Sequence, residues 1–249
     1  MNKFLELFMK GIPIGISNTL PGVSGGTMAL VLGIYDDLIS GIKKIKLSVV
    51  GPIFLGAVVG VLGSSKIITF LLESYSSLVK AFLLGLIFAS SKVTFKQVKE
   101  INLKTIGLSL VGLLLALMYS VELGSVTTTS SLSYFKVFFG GAIGSVAMIL
   151  PGVSGGTILI MLGLYEGVLE AITVLNLSVI IIFSLGVGSG LLAFSRILSF
   201  LLNNFRSLLM AFLTGLILGS MRSVISFQLG IGVIISFILG VIVIQLLSE

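Results

Sequence analysis

Apolar residues run along this chain in long blocks separated by short polar stretches. Continuous apolar runs cover 47–64, 78–91 and 105–121, and again 177–194, 207–221 and 229–247. Such runs mark helices that cross a bilayer, whose hydrocarbon core takes ~20 mostly apolar residues to span. The pattern predicts an all-α integral membrane protein. Two further apolar stretches, 12–39 and 142–169, are broken in the middle by Pro-Gly and Gly-Gly. Proline removes a backbone donor and clashes with the preceding turn, and paired glycines admit positive φ. Each stretch is read as a helix, a break and a second helix beginning near Ser24 or Ser154, folded as a re-entrant hairpin.

Both breaks carry the same seven residues, PGVSGGT, at 21–27 and 151–157. The offset of 130 then continues without a gap. Gly33 and Tyr35 match Gly163 and Tyr165, Leu47-Ser48-Val49 matches Leu177-Ser178-Val179, and Gly56 and Gly60 match Gly186 and Gly190. Between 21–92 and 151–222 there are 32 identities in 72 positions. Chance can match Leu, Ile and Val in apolar chains, but not ungapped Gly, Pro, Ser and Tyr. The chain is a tandem duplication whose period is too long for a solenoid and suits a transporter built from two halves. The expected organisation is repeat 1 over 1–122, with a hairpin at 12–39 and spans at 47–64, 78–91 and 105–121. An external loop follows at 123–133. Repeat 2 covers 134–249, with a hairpin at 142–169 and spans at 177–194, 207–221 and 229–247, and both repeats form one structural unit.

Charge sets the orientation. Segment 92–104 carries four lysines and one glutamate, whereas GSVTTTSSLS, from 124, carries no charge. The basic segment is expected in the cytoplasm, the neutral one outside. Lys43, Lys44 and Lys46 then also lie inside, and the first hairpin opens from the cytoplasm. Three spans separate the hairpins, so the two halves have opposite topology. Composition narrows the function further. Of the 249 residues 56% are hydrophobic and only 10% charged, far from the ~25% charged of a soluble domain, which leaves no room for a soluble enzyme domain. The net charge of +6 fits the positive-inside bias and anionic lipid better than nucleic acid. There is no cysteine and no histidine, so disulfides, thiolate metal sites and the commonest general base are absent. No cofactor and no metal are expected. The first residues, MNKFLELFMKGIPIG, do not read as a cleaved signal peptide. Their Phe4, Leu5, Phe8 and Met9 at helical spacing predict a short amphipathic helix on the membrane surface.

A broken helix at membrane depth is tolerated only inside protein or beside a wet cavity, because every backbone polar group needs a partner there. The break frees N–H groups at the start of the second half-helix, glycines let a ligand approach, and Ser24, Thr27, Ser154 and Thr157 add hydroxyls. Together these make a candidate anion site. The alternative is that the small residues only let two hairpin tips pack closely. Ionisable residues near the spans are few. Lys66 and Arg196 are repeat partners at or just past the ends of 47–64 and 177–194. A pair of cations suits a phosphate, and snorkelling to an interface is the other reading. Glu73 is a weaker candidate for a counter-ion or proton carrier, since its repeat partner is Asn203. Asp36, Asp37, Glu166 and Glu170 are expected in exposed loops, and Tyr35 and Tyr165 in an interfacial belt.

NTLPGVSGGTMALVLGIY and AMILPGVSGGTILIMLGLY, with AFLLGLIFASSK and its partner AFLTGLILGSMR, resemble the paired motifs of the bacterial polyprenyl-phosphate transporter family. The likeness covers nearly the whole chain. It implies a multi-pass protein of the bacterial cell membrane, not an enzyme, that returns undecaprenyl phosphate from the outer to the cytoplasmic leaflet. By position, the implied head-group residues are Asn18, Pro21, Gly22, Ser24, Gly25, Gly26 and Thr27 in the first copy. In the second they are Pro151, Gly152, Ser154, Gly155, Gly156 and Thr157, with Met148 in place of the asparagine. Membrane lipid and undecaprenyl phosphate are the implied partners. The resemblance does not define the coupling ion, proton or sodium, nor the exact phosphate ligands or the oligomeric state. Two alternatives stay open. One is a polyprenyl-pyrophosphate phosphatase, although no carboxylate lies inside either PGVSGGT to serve as acid or base. The other is a transporter of a small soluble anion at the same tips.

Overall fold

The computed structural model describes residues 2–119, 133–225 and 230–248. The external loop expected at 123–133 lies, apart from its last residue, outside the described residues, as does the end of the span at 105–121. Among the described residues the chain is helical and has no strand. Repeat 1 contains α1 (Lys3–Asn18), α2 (Gly25–Val31), α3 (Tyr35–Lys43), α4 (Leu47–Ser74), α5 (Ser76–Phe95) and α6 (Leu103–Tyr119). Repeat 2 contains α7 (Tyr134–Ile149), α8 (Gly155–Met161), α9 (Tyr165–Thr173), α10 (Leu177–Asn204), α11 (Arg206–Ser220) and α12 (Ile231–Leu247). The 130-residue offset reproduces the backbone closely. The left-handed positions Gly22, Gly33 and Ile45 recur at Gly152, Gly163 and Leu175.

Among the described residues three helices are long and apolar enough to cross a membrane, namely α4, α5 and α10. Leu103–Met118, Tyr134–Ile149 and Ile231–Leu247 are shorter apolar helices. The protein is thus an all-α membrane protein. α4 and α10 each run 28 residues, ten beyond the apolar runs 47–64 and 177–194. The polar clusters at Ser64-Ser65-Lys66 and Ser195-Arg196 do not end them, because no proline or capping glycine follows and apolar residues resume at once. At 1.5 Å per residue each helix is about 42 Å long, more than the ~30 Å hydrocarbon core. The N-terminal residues also differ from expectation. They are not a separate surface helix but the first turns of α1, which continues through Pro13 to Asn18 and buries Leu7, Gly11 and Ile14.

Four helix pairs hold the molecule together: α1 with α4, α7 with α10, α5 with α12, and α6 with α11. The first two lie within a repeat. The last two cross between repeats, so each half lends its final helix to the other. Every pair closes on glycine. A Cβ on Gly56 or Gly60 would collide with the carbonyls of Phe8 and Ile12 in α1, and one on Gly186 or Gly190 with those of Phe138 and Ala142 in α7. Gly85 and Gly215 meet Phe237 and Ser109 in the same way. These glycines are packing contacts that let backbones touch.

The C-terminal part of α10 lies beside α3, with Lys43 Nζ donating to Ser199 Oγ at 3.0 Å. Because α3 leads directly into the start of α4, the start of α4 and the end of α10 share one side of the molecule. The repeat-equivalent helices therefore run in opposite directions, as an inverted repeat requires. That side also carries Lys44, Lys46, Lys92, Lys96 and Lys99.

Glycine packing makes a direct prediction. Gly60→Val and Gly190→Val should each destabilise the fold by about 1–3 kcal/mol through overpacking. Gly63→Val and Gly188→Val, where a Cβ would meet nothing within 4 Å, should stay within about 0.5 kcal/mol. Thermal unfolding in detergent, followed by circular dichroism, checks the contrast.

Candidate functional site

The two PGVSGGT breaks meet. In repeat 2, α7 and α8 lie antiparallel: Gly140 faces Leu164, Gly144 faces Leu159, and Gly155 faces Met148. The chain bends by 107° between α8 and α9. In repeat 1, α2 folds back on α1 with Gly25 against Ile14 and Asn18. Gly22 and Gly152, at φ +77° and +79°, turn each tip in the left-handed region that only glycine enters without strain.

Helix ends leave backbone groups without partners, and the first tip uses its side chains to satisfy those of the second. Ser24 Oγ donates to the Leu150 carbonyl at 3.1 Å. The Tyr35 hydroxyl donates to the Ile149 carbonyl at 3.0 Å, and the Gly152 N–H donates to Thr27 Oγ1 at 3.0 Å. These are the last carbonyls of α7 and the turn after it. Within its own tip, Ser24 also accepts from the Thr27 N–H at 3.4 Å, and Asn18 Oδ1 accepts from the Gly25 N–H at 3.0 Å. Ser154 accepts from the Thr157 N–H at 3.4 Å in the same cap. Met148 stands where Asn18 does and offers no acceptor to Gly155.

The tips differ in burial. Every residue of α2 is buried, and so are Ser24 and Thr27. In α8 only Gly155 is buried, while Ser154 is exposed and Gly156 and Thr157 are half-buried. Pro21 is exposed and Pro151 buried. Gly26 lies against the backbone of Ile149 and Pro151, whereas nothing approaches a Cβ on Gly156 closer than 3.9 Å. The first motif is thus closed over by the second, and the second presents its helix start.

The cations are elsewhere. Lys66 and Arg196 are exposed and lie within α4 and α10 rather than at their ends. On α4 the side facing α1 carries Gly56, Gly60 and Ser64, the last within 3.3 Å of Thr19 Oγ1. Lys66 is two residues further, about 200° round the helix, and so points away from the tip. Glu73 shares α4 and is also exposed, with no ion pair among the described residues.

Two groups of residues have a role that sequence reading missed. Tyr35 is not in an interfacial belt; it is 1% exposed and holds the second tip. Its match to Tyr165 was the available signal, but burial is not readable from a match. Asp36 and Asp37 sit on α3, and Glu166 and Glu170 on α9, rather than in loops, though all four are exposed. Asp36 accepts both Nη1 and Nη2 of Arg206 at 2.9 Å, and Arg206 Nη2 also reaches Gln97 Oε1 at 2.9 Å. With Lys43–Ser199, these bonds tie α3 of one half to α10 and α11 of the other. The Arg206 position corresponds to Ser76 in repeat 1, so the duplication gives no hint of the pair.

The comparisons with known proteins agree on a single group. Residues 14–54 and 44–236 match a family described as undecaprenyl phosphate translocase-like. A protein of Vibrio cholerae serotype O1 named polyprenyl-phosphate transporter is 33% identical over 241 residues, covering 89% of this chain and 77% of that protein. One of the same name in Staphylococcus aureus is 28% identical over 239 residues, covering 87% and 84%. No solved structure matches.

The capping serines provide a test of the asymmetry. Ser24→Ala removes a cap and one of the two donors to the half-buried Leu150 carbonyl, which keeps the Val153 N–H, and should cost about 1–2 kcal/mol. Ser154→Ala, at an exposed cap, should cost at most about 1 kcal/mol. Melting curves of the two variants side by side measure the difference.

Proposed function

We propose that this chain, which belongs to the undecaprenyl phosphate translocase-like family, carries a polyprenyl phosphate across the membrane. The proposed direction is from the outer to the cytoplasmic leaflet, by alternating access, with the phosphate held at the two motif tips. The observation that carries the reading is the meeting of both PGVSGGT breaks through Ser24, Thr27 and Gly152. The α2 start lies against the turn that leads into α8, and the N–H groups and hydroxyls of such helix starts suit an anion.

The cargo explains why such a site needs a membrane path. A charged head group cannot cross hydrocarbon cheaply, since burying an unpaired ion costs several kcal/mol even after relaxation. A long isoprenoid tail cannot cheaply enter a polar cavity. The efficient solution moves the head along the tips while the tail stays in lipid. Here α3 packs against α10 and holds Arg206 of α11 on the lysine-rich side, and Ser154 at the α8 start is exposed. With lysines inside, this conformation suits loading from the outer leaflet. Lys66 and Arg196, exposed on opposite-running helices, are assigned to electrostatic capture of the head group before it reaches the tips. The chemistry requires no bond cleavage.

Reconstituted vesicles test this. Wild-type protein should exchange a labelled polyprenyl phosphate between leaflets and release no phosphate from a polyprenyl pyrophosphate. Lys66→Ala and Arg196→Ala should each slow lipid-phosphate uptake, more at low than at high ionic strength, without lowering the melting temperature. Impermeant thiol labelling of Lys99→Cys and Ser130→Cys from opposite sides tests the orientation. Phosphate release, or labelling from one side, would contradict the reading.

A further inference from the structure

The two tips carry the same sequence but use it differently. The Tyr35 hydroxyl holds the Ile149 carbonyl, and Thr27 Oγ1 holds the Gly152 N–H, both at 3.0 Å. Moving each atom by 130 residues gives the reciprocal bonds: Tyr165 hydroxyl to Thr19 carbonyl, and Gly22 N–H to Thr157 Oγ1. Neither is made among the described residues. Tyr165 is 42% exposed against 1% for Tyr35. The asymmetry extends outward. α3 packs on α10, whereas α9 has no comparable packing on α4. Asp36 holds Arg206, whereas among the described residues Glu166 is in no ion pair, Ser76 standing at the position equivalent to Arg206.

We propose that Tyr35 and Tyr165 are paired positioning residues of a clamp that exchanges between the hairpins. Tyr35 with Thr27 grips the second tip in the conformation seen here, and Tyr165 with Thr157 grips the first tip in the opposite one. The proposal rests on the alternating-access reading above. Its chemistry suits repeated making and breaking. A phenol reaches a carbonyl across the tip without carrying charge, so burying it incurs no ion desolvation. The opposite arrangement would make the same two bonds from the other hairpin, so the clamp hydrogen bonds themselves nearly cancel between the two. The difference that remains is small enough for a head group with differential affinity to reverse. Asp36–Arg206 and Lys43–Ser199 add to the arrangement seen here alone, and no repeat-equivalent ion pair opposes them.

Cross-linking tests the exchange. Lys43→Cys with Ser199→Cys reports α3 on α10, and the repeat-equivalent Thr69→Cys with Thr173→Cys reports α9 on α4. A short bifunctional thiol reagent is applied to each pair in vesicles without added lipid substrate. Tyr35→Phe should lower the first cross-link and raise the second, shifting their ratio roughly two- to tenfold. Tyr165→Phe, at an exposed position that does not threaten folding, should shift the ratio the other way, and Thr157→Val should do the same. The clamp is overturned if Tyr165→Phe and Thr157→Val leave the ratio unchanged, or if the second pair cross-links in no variant. Leaflet exchange of labelled polyprenyl phosphate is read separately on the same variants. Opposed cross-linking shifts without lipid exchange would sustain the clamp and contradict the transport function. Lipid exchange with an unmoved ratio would do the reverse.

Discussion

The fold turns on how a helix can be broken inside hydrocarbon. At each PGVSGGT the backbone leaves carbonyls and N–H groups without helical partners, where water cannot reach them freely. The second tip meets this need with groups from the first: Tyr35 and Ser24 for the carbonyls of Ile149 and Leu150, and Thr27 for the N–H of Gly152. The breaks therefore stabilise one another. Neither hairpin is a separate element, and the place where they meet is set largely by hydrogen bonds from the opposite repeat.

Around this junction the rest is rigid. Glycines on α4, α5, α10 and α11 press against bare carbonyls of their partner helices, and backbones in such contact have little freedom to slide. The exchange of α6 and α12 between halves interlocks them. By contrast, α3 is joined to the other half in part by polar, partly exposed bonds, such as Arg206 with Asp36. Exposed pairs of this kind contribute up to about 1 kcal/mol. Tight glycine seams thus frame a weaker polar seam, and the weaker seam lies between the hairpins and the opposite half.

Duplicated sequence has not produced duplicated environment. α2 is wholly buried and α8 is mostly not, though both begin GGT. Small differences explain part of this. Asn18 covers the Gly25 N–H, and Met148 cannot do so for Gly155. Arg206 gives α3 an anchor that Ser76 denies α9. Two halves of one origin can thus occupy different states in one molecule, which is the structural condition for a site that opens to one side at a time.

Much was legible in the chain itself. Apolar runs, the ungapped 130-residue repeat, the broken hairpins and the lysine distribution are local or additive properties, so they yield a helical, duplicated, inverted membrane protein without coordinates. The motif hydroxyls were recognisable as polar groups at a break, because Ser before Gly-Gly-Thr caps a helix wherever it occurs. What those hydroxyls touch was not. Ser24 and Thr27 bond to residues more than 120 positions away, Tyr35 is buried while its identical partner is exposed, and Lys66 turns from the tips because α4 does not stop at residue 64. These outcomes depend on which helix faces meet in space. The positions where the halves differ, Asn18 against Met148 and Arg206 against Ser76, take effect only through the residues that folding brings to them, so their consequence is decided by tertiary packing.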